Sequence, residues 1–327
     1  MGSQPGVVVV WSGEQPRYDV LAIPPAGVTL GRDNLDAADT GMSRRHVRLT
    51  VTDGRVVIHD LGGRNGTFVD GEHLIGAGIA IRLPAVVRIG HTICIAVSDV
   101  RDYHGVTPAR RGKAVVAGSL AASCRMLDDA ALAEDHIGLL GSLALGRELA
   151  HSYADRVGGE RIVCELDVMT GLPLERTIDR ARSPRTMIIV LDRPLTLPDQ
   201  PELLQWLETD IRIVSVARCT DSFKYMEKEL IARLVPRAIE LPQLRFDELP
   251  QTIAIAIAAR APQAKVHASL IEAAMLRVSS MGEERMFRAL DRAVAEWLAN
   301  PARNPQIYNH DLDGYLERDA AMRNCLS

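Results

Sequence analysis

Residues 31–71 read GRDNLDAADTGMSRRHVRLTVTDGRVVIHDLGGRNGTFVDG, from Gly31 to Gly71. Three polar clusters interrupt short alternating strands in this stretch: Gly31-Arg32, then Ser43-Arg44-Arg45-His46, then Gly63-Arg64-Asn65-Gly66-Thr67. Guanidinium, hydroxyl and amide groups suit a phosphate oxyanion, and an arginine fork matches phosphate geometry in a way that lysine does not. Between the clusters, Val47, Leu49 and Val51 alternate with Arg48, Thr50 and Thr52, the period of a strand with one buried face. Asp53-Gly54 supplies a hairpin turn, and Asn65-Gly66 and Asp70-Gly71 bracket a short strand over Thr67–Val69.

Working outward, Val7–Trp11, Tyr18–Ile23 and Val28–Leu30 precede the stretch as short β-rich runs separated by Gly and Pro. Ile79–Leu83, Val86–Ile89 and Thr92–Val97 follow it at close spacing. Many short strands with turn signals and almost no helix predict an all-β sandwich over residues 1–104.

The order Gly-Arg, Ser-x-x-His, Asn-Gly-Thr on this strand ladder resembles the forkhead-associated (FHA) domain, over roughly residues 5–100. The resemblance implies a phosphothreonine-peptide binder whose ligand is held by loops at one end of a β-sandwich. On that resemblance Arg32 contacts the phosphate, Ser43 hydrogen-bonds it, Arg44 assists, and Asn65 holds the peptide backbone. Gly31, His46, Gly66 and Thr67 match the members that shape the loops. One departure is Arg64, where the family often has Thr or Ser; it either adds a charge to the site or projects into solvent. Arg45 and Arg48 read as solvated charges on a strand face. The competing reading is an FHA fold that has lost peptide binding and serves as a scaffold or dimer module.

The whole chain, 327 residues, has room for two domains. Its net charge of −4 argues against a general nucleic-acid binder. Five scattered cysteines without a CxxC pair predict neither a disulfide framework nor a zinc site, and fit a reducing, cytoplasmic compartment. The N-terminus lacks the basic region of a signal peptide, and Gly6 breaks the myristoylation pattern begun by Gly2. No uncharged apolar run is long enough to span a bilayer.

Residues 105–118 have linker composition, with Thr107-Pro108 read as a plain loop in preference to a phosphorylated internal ligand. Beyond them, residues 119–264 alternate helices with fully apolar strands. Ser119–Glu134, Gly146–Arg156, Pro201–Leu207, Phe223–Val235 and Leu249–Ala259 are expected as helices; Ile137–Leu140, Thr186–Asp192 and Ile211–Ala217 as strands. This predicts an α/β domain with a parallel sheet covered on both faces. Residues 265–300 are expected as an appended helical lid, with helices over Lys265–Leu276 and Glu283–Leu298. Residues 301–327 form a C-terminal tail with a short helix over Leu312–Asn324, too short for a helix-turn-helix, so direct DNA binding is unsupported.

Gly141-Ser142-Leu143-Ala144-Leu145-Gly146-Arg147-Glu148 sits after a strand, where a Walker A phosphate loop belongs. Arg147 replaces the lysine, and Leu143 and Leu145 replace residues whose amides would form an anion nest. Together with Ile213–Asp221 and the run from Ala232 to Pro250, this segment resembles a AAA+ ATPase domain of the sigma-54-dependent activator type, over residues 115–298. The departures run in one direction: Asp192-Arg193 lacks the Walker B glutamate, Ala217-Arg218 replaces the sensor Thr-Asn, and Glu227 replaces one finger arginine. The other, Arg233, remains. Ser279–Glu284 carries acid where the lid arginine would be, and the segment between Glu165 and Thr186 is too short for the sigma-contacting loop.

The expected function is therefore a phosphothreonine-peptide-binding signalling protein, bacterial and linked to a Ser/Thr kinase or its substrate, possessing a non-hydrolysing AAA+-like interaction domain. Gly141, Gly146, Arg147, Asp192 and Arg233 are read as remnants of a nucleotide site, with no catalytic residue, cofactor or metal. An AAA+ paralogue or a second copy is the expected partner of that domain, in transcriptional regulation. The alternative is an ATP-dependent sigma-54-type activator with divergent motifs.

Overall fold

The computed structural model describes residues 3–76, 78–105, 109–111, 114–116, 118–166, 184–192, 204, 208–300 and 306–312. The chain divides into two compact units, Met1–Ala109 with Arg245–Ser327, and Arg110–Leu244.

The first unit begins with ten strands: β1 (Gly6–Ser12), β2 (Gln15–Ala22), β3 (Val28–Leu30), β4 (Val47–Thr52), β5 (Arg55–Asp60), β6 (Thr67–Val69), β7 (Glu72–His73), β8 (Ile79–Ala80), β9 (Ala85–Ile89) and β10 (Thr92–Val97). They form an antiparallel sandwich of two sheets, ordered β2-β1-β10-β9-β6-β7 and β3-β4-β5-β8. Val7, Val9, Leu30, Val47, Leu49 and Ile58 pack with Val87, Ile89 and Cys94 between the sheets. Asp53 and Gly54 both have positive φ (51° and 73°), as do Asp70 and Gly71 (50° and 85°), the geometry of tight hairpin turns that the dipeptides announce. The run expected over Ile79–Leu83 forms ladder only at Ile79–Ala80.

Strands β1 and β10 are buried on both faces. Val8, Ile93 and Ile95 point away from the inter-sheet core yet are at most 1% exposed, so a further layer covers them.

Within residues 105–118, expected as unstructured linker, β11 (Ala109–Arg111) and β12 (Ala114–Val116) pair with each other; Thr107 and Pro108 lie outside the described residues. The second unit follows with α1 (Ala121–Ala133), β13 (Ile137–Leu140), α2 (Leu143–Val157), β14 (Glu160–Leu166), β15 (Pro184–Leu191), β16 (Arg212–Ala217), α3 (Lys228–Leu234) and β17 (Ala238–Glu240). All five β13–β17 strands are parallel, in the order β14-β15-β16-β13-β17. One face packs on α1 and α2 through Leu127, Leu139, Leu149, Tyr153 and Val214. The other buries Met187, Ile189 and Ile213 with Phe223, Leu230 and Leu234. A parallel sheet covered on both faces is what its apolar strands predict. The helix expected over Phe223–Val235 is shorter, because Glu227 is extended (φ −62°, ψ 140°) and separates a 3-10 turn at Thr220–Phe223 from α3. The expected helix over residues 201–207 and the segment 167–183 lie outside the described residues, 204 excepted.

The chain then returns to the first unit with α4 (Leu249–Arg260), β18 (Lys265–Val266), α5 (Ala268–Met281), α6 (Glu283–Ala299) and β19 (Gln306–Ile307). Residues 265–300, expected as a lid of the α/β domain, thus fall in the same compact unit as the β-sandwich. Helix α4 packs on β1 and β2, and α5 on β9 and β10, which supplies the missing cover for Val8, Ile93 and Ile95. Each such side chain removed from water contributes about 1.5–3 kcal/mol. Polar contacts pin the layer. The Tyr18 hydroxyl donates to Asp247 Oδ2 at 2.8 Å, Arg88 Nε to Glu272 Oε2 at 2.5 Å, and Lys265 Nζ pairs with Glu14 at 3.1 Å. Burial, then the bond to Asp247, drives the Tyr18 phenol well above its ordinary pKa. The Glu272 carboxyl is raised too, because burial outweighs the Arg88 guanidinium beside it. Among the described residues, no helix is long and apolar enough to cross a membrane. The tail helix expected beyond Leu312 lies outside the described residues.

Candidate functional site

The β3–β4 and β5–β6 loops meet at one end of the sandwich, and backbone and side-chain hydrogen bonds join them at three junctions. The first follows β3: Gly31 carries no side chain, and a Cβ there would lie 2.2 Å from the Arg44 carbonyl oxygen. Only glycine lets the chain pass so close. Immediately after it, the Arg32 amide donates to the Ser43 carbonyl at 2.9 Å. The two ends of the loop are thereby zipped together, and the residues bearing guanidinium and hydroxyl are brought side by side.

His46 builds the second junction. Its ring is buried, Nδ1 accepting the Ser43 amide at 3.1 Å, so Nε2 carries the proton and donates to the Gly66 carbonyl at 3.0 Å. Gly63 packs flat on that ring, where a Cβ would come within 2.1 Å of Nε2. Gly66 adopts φ 68° and closes a turn to the Gly63 carbonyl at 3.0 Å. A Cβ on Gly66 would meet His73 Nε2 at 2.2 Å. Thr67 is fully buried, paired with Ile89 across β6 and β9, and its Oγ1 has no hydrogen-bond partner among the described residues.

The third junction is Asn65. Its Nδ2 donates to the Gly41 carbonyl at 2.8 Å, which ties the 63–66 turn to the loop between Arg32 and Ser43. Among the described residues its Oδ1 has no such bond, which leaves it as an acceptor. Arg32 and Ser43 are partly buried, while Arg44, Arg64 and Asn65 are exposed. Among the described residues, the side chains of Arg32, Ser43, Arg44 and Arg64 make no hydrogen bond or ion pair with protein. The site thus gathers up to three uncommitted guanidinium groups, one hydroxyl and one half-used amide over a rigid backbone clamp. Such a group suits a dianionic phosphate with an extended backbone beside it.

Sequence reasoning missed the residues beneath the loop. Asp39 is buried and accepts the Gly41 amide, the His91 amide and the Thr92 hydroxyl. Gly90, the turn residue between β9 and β10, lies against Gly41. The signal available was an acid among small residues facing a Gly-His turn, too weak to read without the fold.

In the second unit the Walker-like segment folds differently from a phosphate loop. The expected helix start at Gly146 moves to Leu143, because Ser142 caps the helix and its Oγ accepts the Leu145 amide at 3.4 Å. Gly146 lies inside α2, its amide bonded to the Ser142 carbonyl at 2.8 Å. A Cβ on it would sit 2.3 Å from Val216 Cγ1, so this glycine serves close helix–sheet packing. Leu143 and Leu145 are buried in the core. Only Gly141, at φ 142°, retains a loop geometry. Arg147 lies on α2, one position after Gly146. At the strand ends, Asp192 forms an ion pair with Arg218 at 2.8 Å. Arg233 lies 4.0 Å from Glu208. Arg193 lies outside the described residues. No cluster of three or more metal-ligating side chains occurs among the described residues.

Residues 28–90 match the family model described as the FHA domain. The chain carries an FHA domain. All three junctions of the site fall inside the matched residues or touch them. Among solved structures, the FHA domain of the CT664 protein from Chlamydia trachomatis is 25% identical, with 29% of this chain and 97% of that chain covered and a TM-score of 0.26. The FhaA FHA domain complexed with the intracellular domain of Rv3910 is also 25% identical, covering 28% and 98%, with a TM-score of 0.23. The Thermotoga maritima RuvB Holliday junction branch migration motor is 15% identical over 61% of this chain and 67% of its own, with a TM-score of 0.43. No curated protein sequence matches the chain.

Proposed function

We propose that the chain is a signalling protein whose FHA domain binds phosphothreonine peptides through Arg32, Ser43 and Asn65, with Arg44 and Arg64 at the rim. The observation that carries this is the 2.9 Å bond from the Arg32 amide to the Ser43 carbonyl, which holds together the residues bearing two uncommitted side chains suited to phosphate. Charge-assisted hydrogen bonds of this type contribute about 1.5–3 kcal/mol each, so two or three make an otherwise weak peptide contact depend on the phosphate. The partner is a phosphothreonine-containing protein, a Ser/Thr kinase or its substrate, in a bacterial cytoplasm.

The second unit acts in this proposal as a AAA+-like interaction module that does not hydrolyse ATP. Three features support it: α2 begins inside the segment where a phosphate loop would lie, Leu143 and Leu145 fill that space, and Arg218 neutralises the acid at Asp192. Its partner is a AAA+ paralogue or a second copy, in kinase-linked transcriptional regulation.

The test is fluorescence polarisation of a labelled phosphothreonine peptide pool with the full chain and with Arg32→Ala. The expected result is phosphate-dependent binding in the wild type, reduced at least about tenfold in the variant. Equal affinity for phosphorylated and unphosphorylated pools refutes it.

A further inference from the structure

The loop between Arg32 and Ser43 is anchored from below by the turn between β9 and β10. Asp39 Oδ1 accepts the Gly41 amide at 2.9 Å, and Oδ2 accepts the His91 amide at 3.0 Å and the Thr92 hydroxyl at 2.8 Å. Thr92 Oγ1 also meets Ser12 Oγ at 2.8 Å, inside the sandwich. Gly90 adopts φ 61°, and a Cβ there would lie 2.7 Å from both the carbonyl carbon and oxygen of Gly41. The Gly41 peptide therefore rests directly on this turn, and its carbonyl is the one that holds Asn65. A continuous path runs from Thr92 through Asp39 and Gly41 to Asn65.

The C-terminal segment reaches the same turn. The His91 ring lies edge-on to His267, with centroids 5.1 Å apart, and His267 stacks on Tyr308 at 4.6 Å. His267 also caps α5, its Nδ1 accepting the Ser269 amide at 3.2 Å. It is therefore fixed from both sides, by its helix and by the Tyr308 ring.

We propose that Asp39, His91 and Thr92 are positioning residues for phosphopeptide recognition, and that His267 makes the C-terminal segment part of the same binding module. This deepens the function proposed above and rests on Asn65 being a ligand contact. A binding loop that is ordered before its ligand arrives loses less freedom on association, so affinity depends on what holds the loop. Asp39 is the acceptor that orders Gly41, and Thr92 supplies its only side-chain hydroxyl donor among the described residues. Remove that hydroxyl and a buried carboxylate is left one donor short, at the point from which Asn65 is aimed. His267 acts one step further away, through the His91 ring, and its influence is correspondingly smaller.

The test uses the full chain as wild type, Thr92→Val, Thr92→Ser and His267→Ala, each well below its melting temperature. Two quantities are read: the apparent dissociation constant for a labelled phosphothreonine peptide pool, and the hydrogen-exchange rate of the Gly41 amide without peptide. Thr92→Val is expected to raise both about tenfold, Thr92→Ser to restore both, and His267→Ala to raise the dissociation constant about threefold. Unchanged exchange at Gly41 in Thr92→Val overturns the anchor. Faster exchange with unchanged affinity overturns the positioning role, because a purely structural anchor behaves that way. A Thr92→Ser variant as weak as Thr92→Val also counts against it. A His267→Ala variant that binds like wild type removes the C-terminal segment from the module. Gly41 loosened by Thr92→Val, in a protein that never distinguishes phosphorylated from unphosphorylated peptide, overturns the phosphopeptide function and not the anchor.

Discussion

The buried His46 ring accepts the Ser43 amide on Nδ1 at 3.1 Å, and through its other nitrogen it ties the hydroxyl-bearing loop to the turn that carries Asn65. The same ring donates to the Gly66 carbonyl, so one side chain fixes two of the three polar clusters that dominate the sequence. Replacing it removes ring volume and leaves two backbone groups without partners. His46→Ala is expected to cost about 2–4 kcal/mol of stability, read by denaturant unfolding of the full chain. His46→Asn, which can donate and accept but is smaller, should recover part of that loss. Wild-type stability in His46→Ala would contradict the bridging role.

Arg32 and Ser43 behave oppositely to His46. Their side chains make no bond to protein among the described residues, so removing them costs the fold little. Arg32→Ala and Ser43→Ala should each melt within a few degrees of wild type, with stability changes within about 0.5 kcal/mol. Binding to phosphothreonine peptides should nevertheless fall by at least about tenfold in each. Calorimetry and thermal melts on the same samples check both halves of the statement.

A pH effect follows from His267. Burial first, then the neighbouring His91 and Arg88, depresses its pKa to about 4 from an ordinary value of 6.5. The unfolded chain thus binds a proton more readily than the folded one between these values, and stability falls as pH drops from about 6.5 through about 4. Subtracting the melting curve of His267→Gln from that of wild type over this range isolates the contribution. The difference should shrink as the pH is lowered, and a constant difference contradicts a half-buried imidazole held neutral.

Gly146 separates two accounts of the Walker-like segment. With Val216 Cγ1 2.3 Å from where a Cβ would stand, Gly146→Val should destabilise the α/β unit by about 1–3 kcal/mol or more through overpacking. Arg147→Lys, which restores the residue type that a phosphate loop uses, should confer no ATP binding, because α2 already occupies the loop's place. Equilibrium dialysis with labelled ATP checks this, and saturable binding in either wild type or Arg147→Lys contradicts a lost nucleotide site.

Much of this was legible before the fold was known. The alternation of Val47, Leu49 and Val51, and the Asp-Gly turns at 53 and 70, placed strands and hairpins because local backbone sterics decide them. The polar clusters were legible because few side chains serve a phosphate. What sequence did not show depends on distant partners. Val7–Trp11 read as one more short strand, although an unbroken apolar run signals burial on both faces; its cover, α4 and α5, lies some 240 residues away along the chain. Helix α4 read as part of the α/β domain and α5 as part of a lid, because helical periodicity states that a face is buried and not against what. The sequence places the start of α2 at Gly146, where a phosphate loop would end; in the fold that glycine is a contact residue inside a helix that begins at Leu143. Asp39 and Thr92 gave only a weak signal, since a buried carboxylate is recognised only once its three donors are in place.

The central claim is that the phosphate itself is recognised. It is tested most directly by isothermal titration of the full chain with a degenerate phosphothreonine peptide pool and with the same pool after phosphatase treatment. The site described predicts a preference on the order of a hundredfold for the phosphorylated pool, from two charge-assisted contacts. Equal heats and equal affinities for the two pools would contradict it.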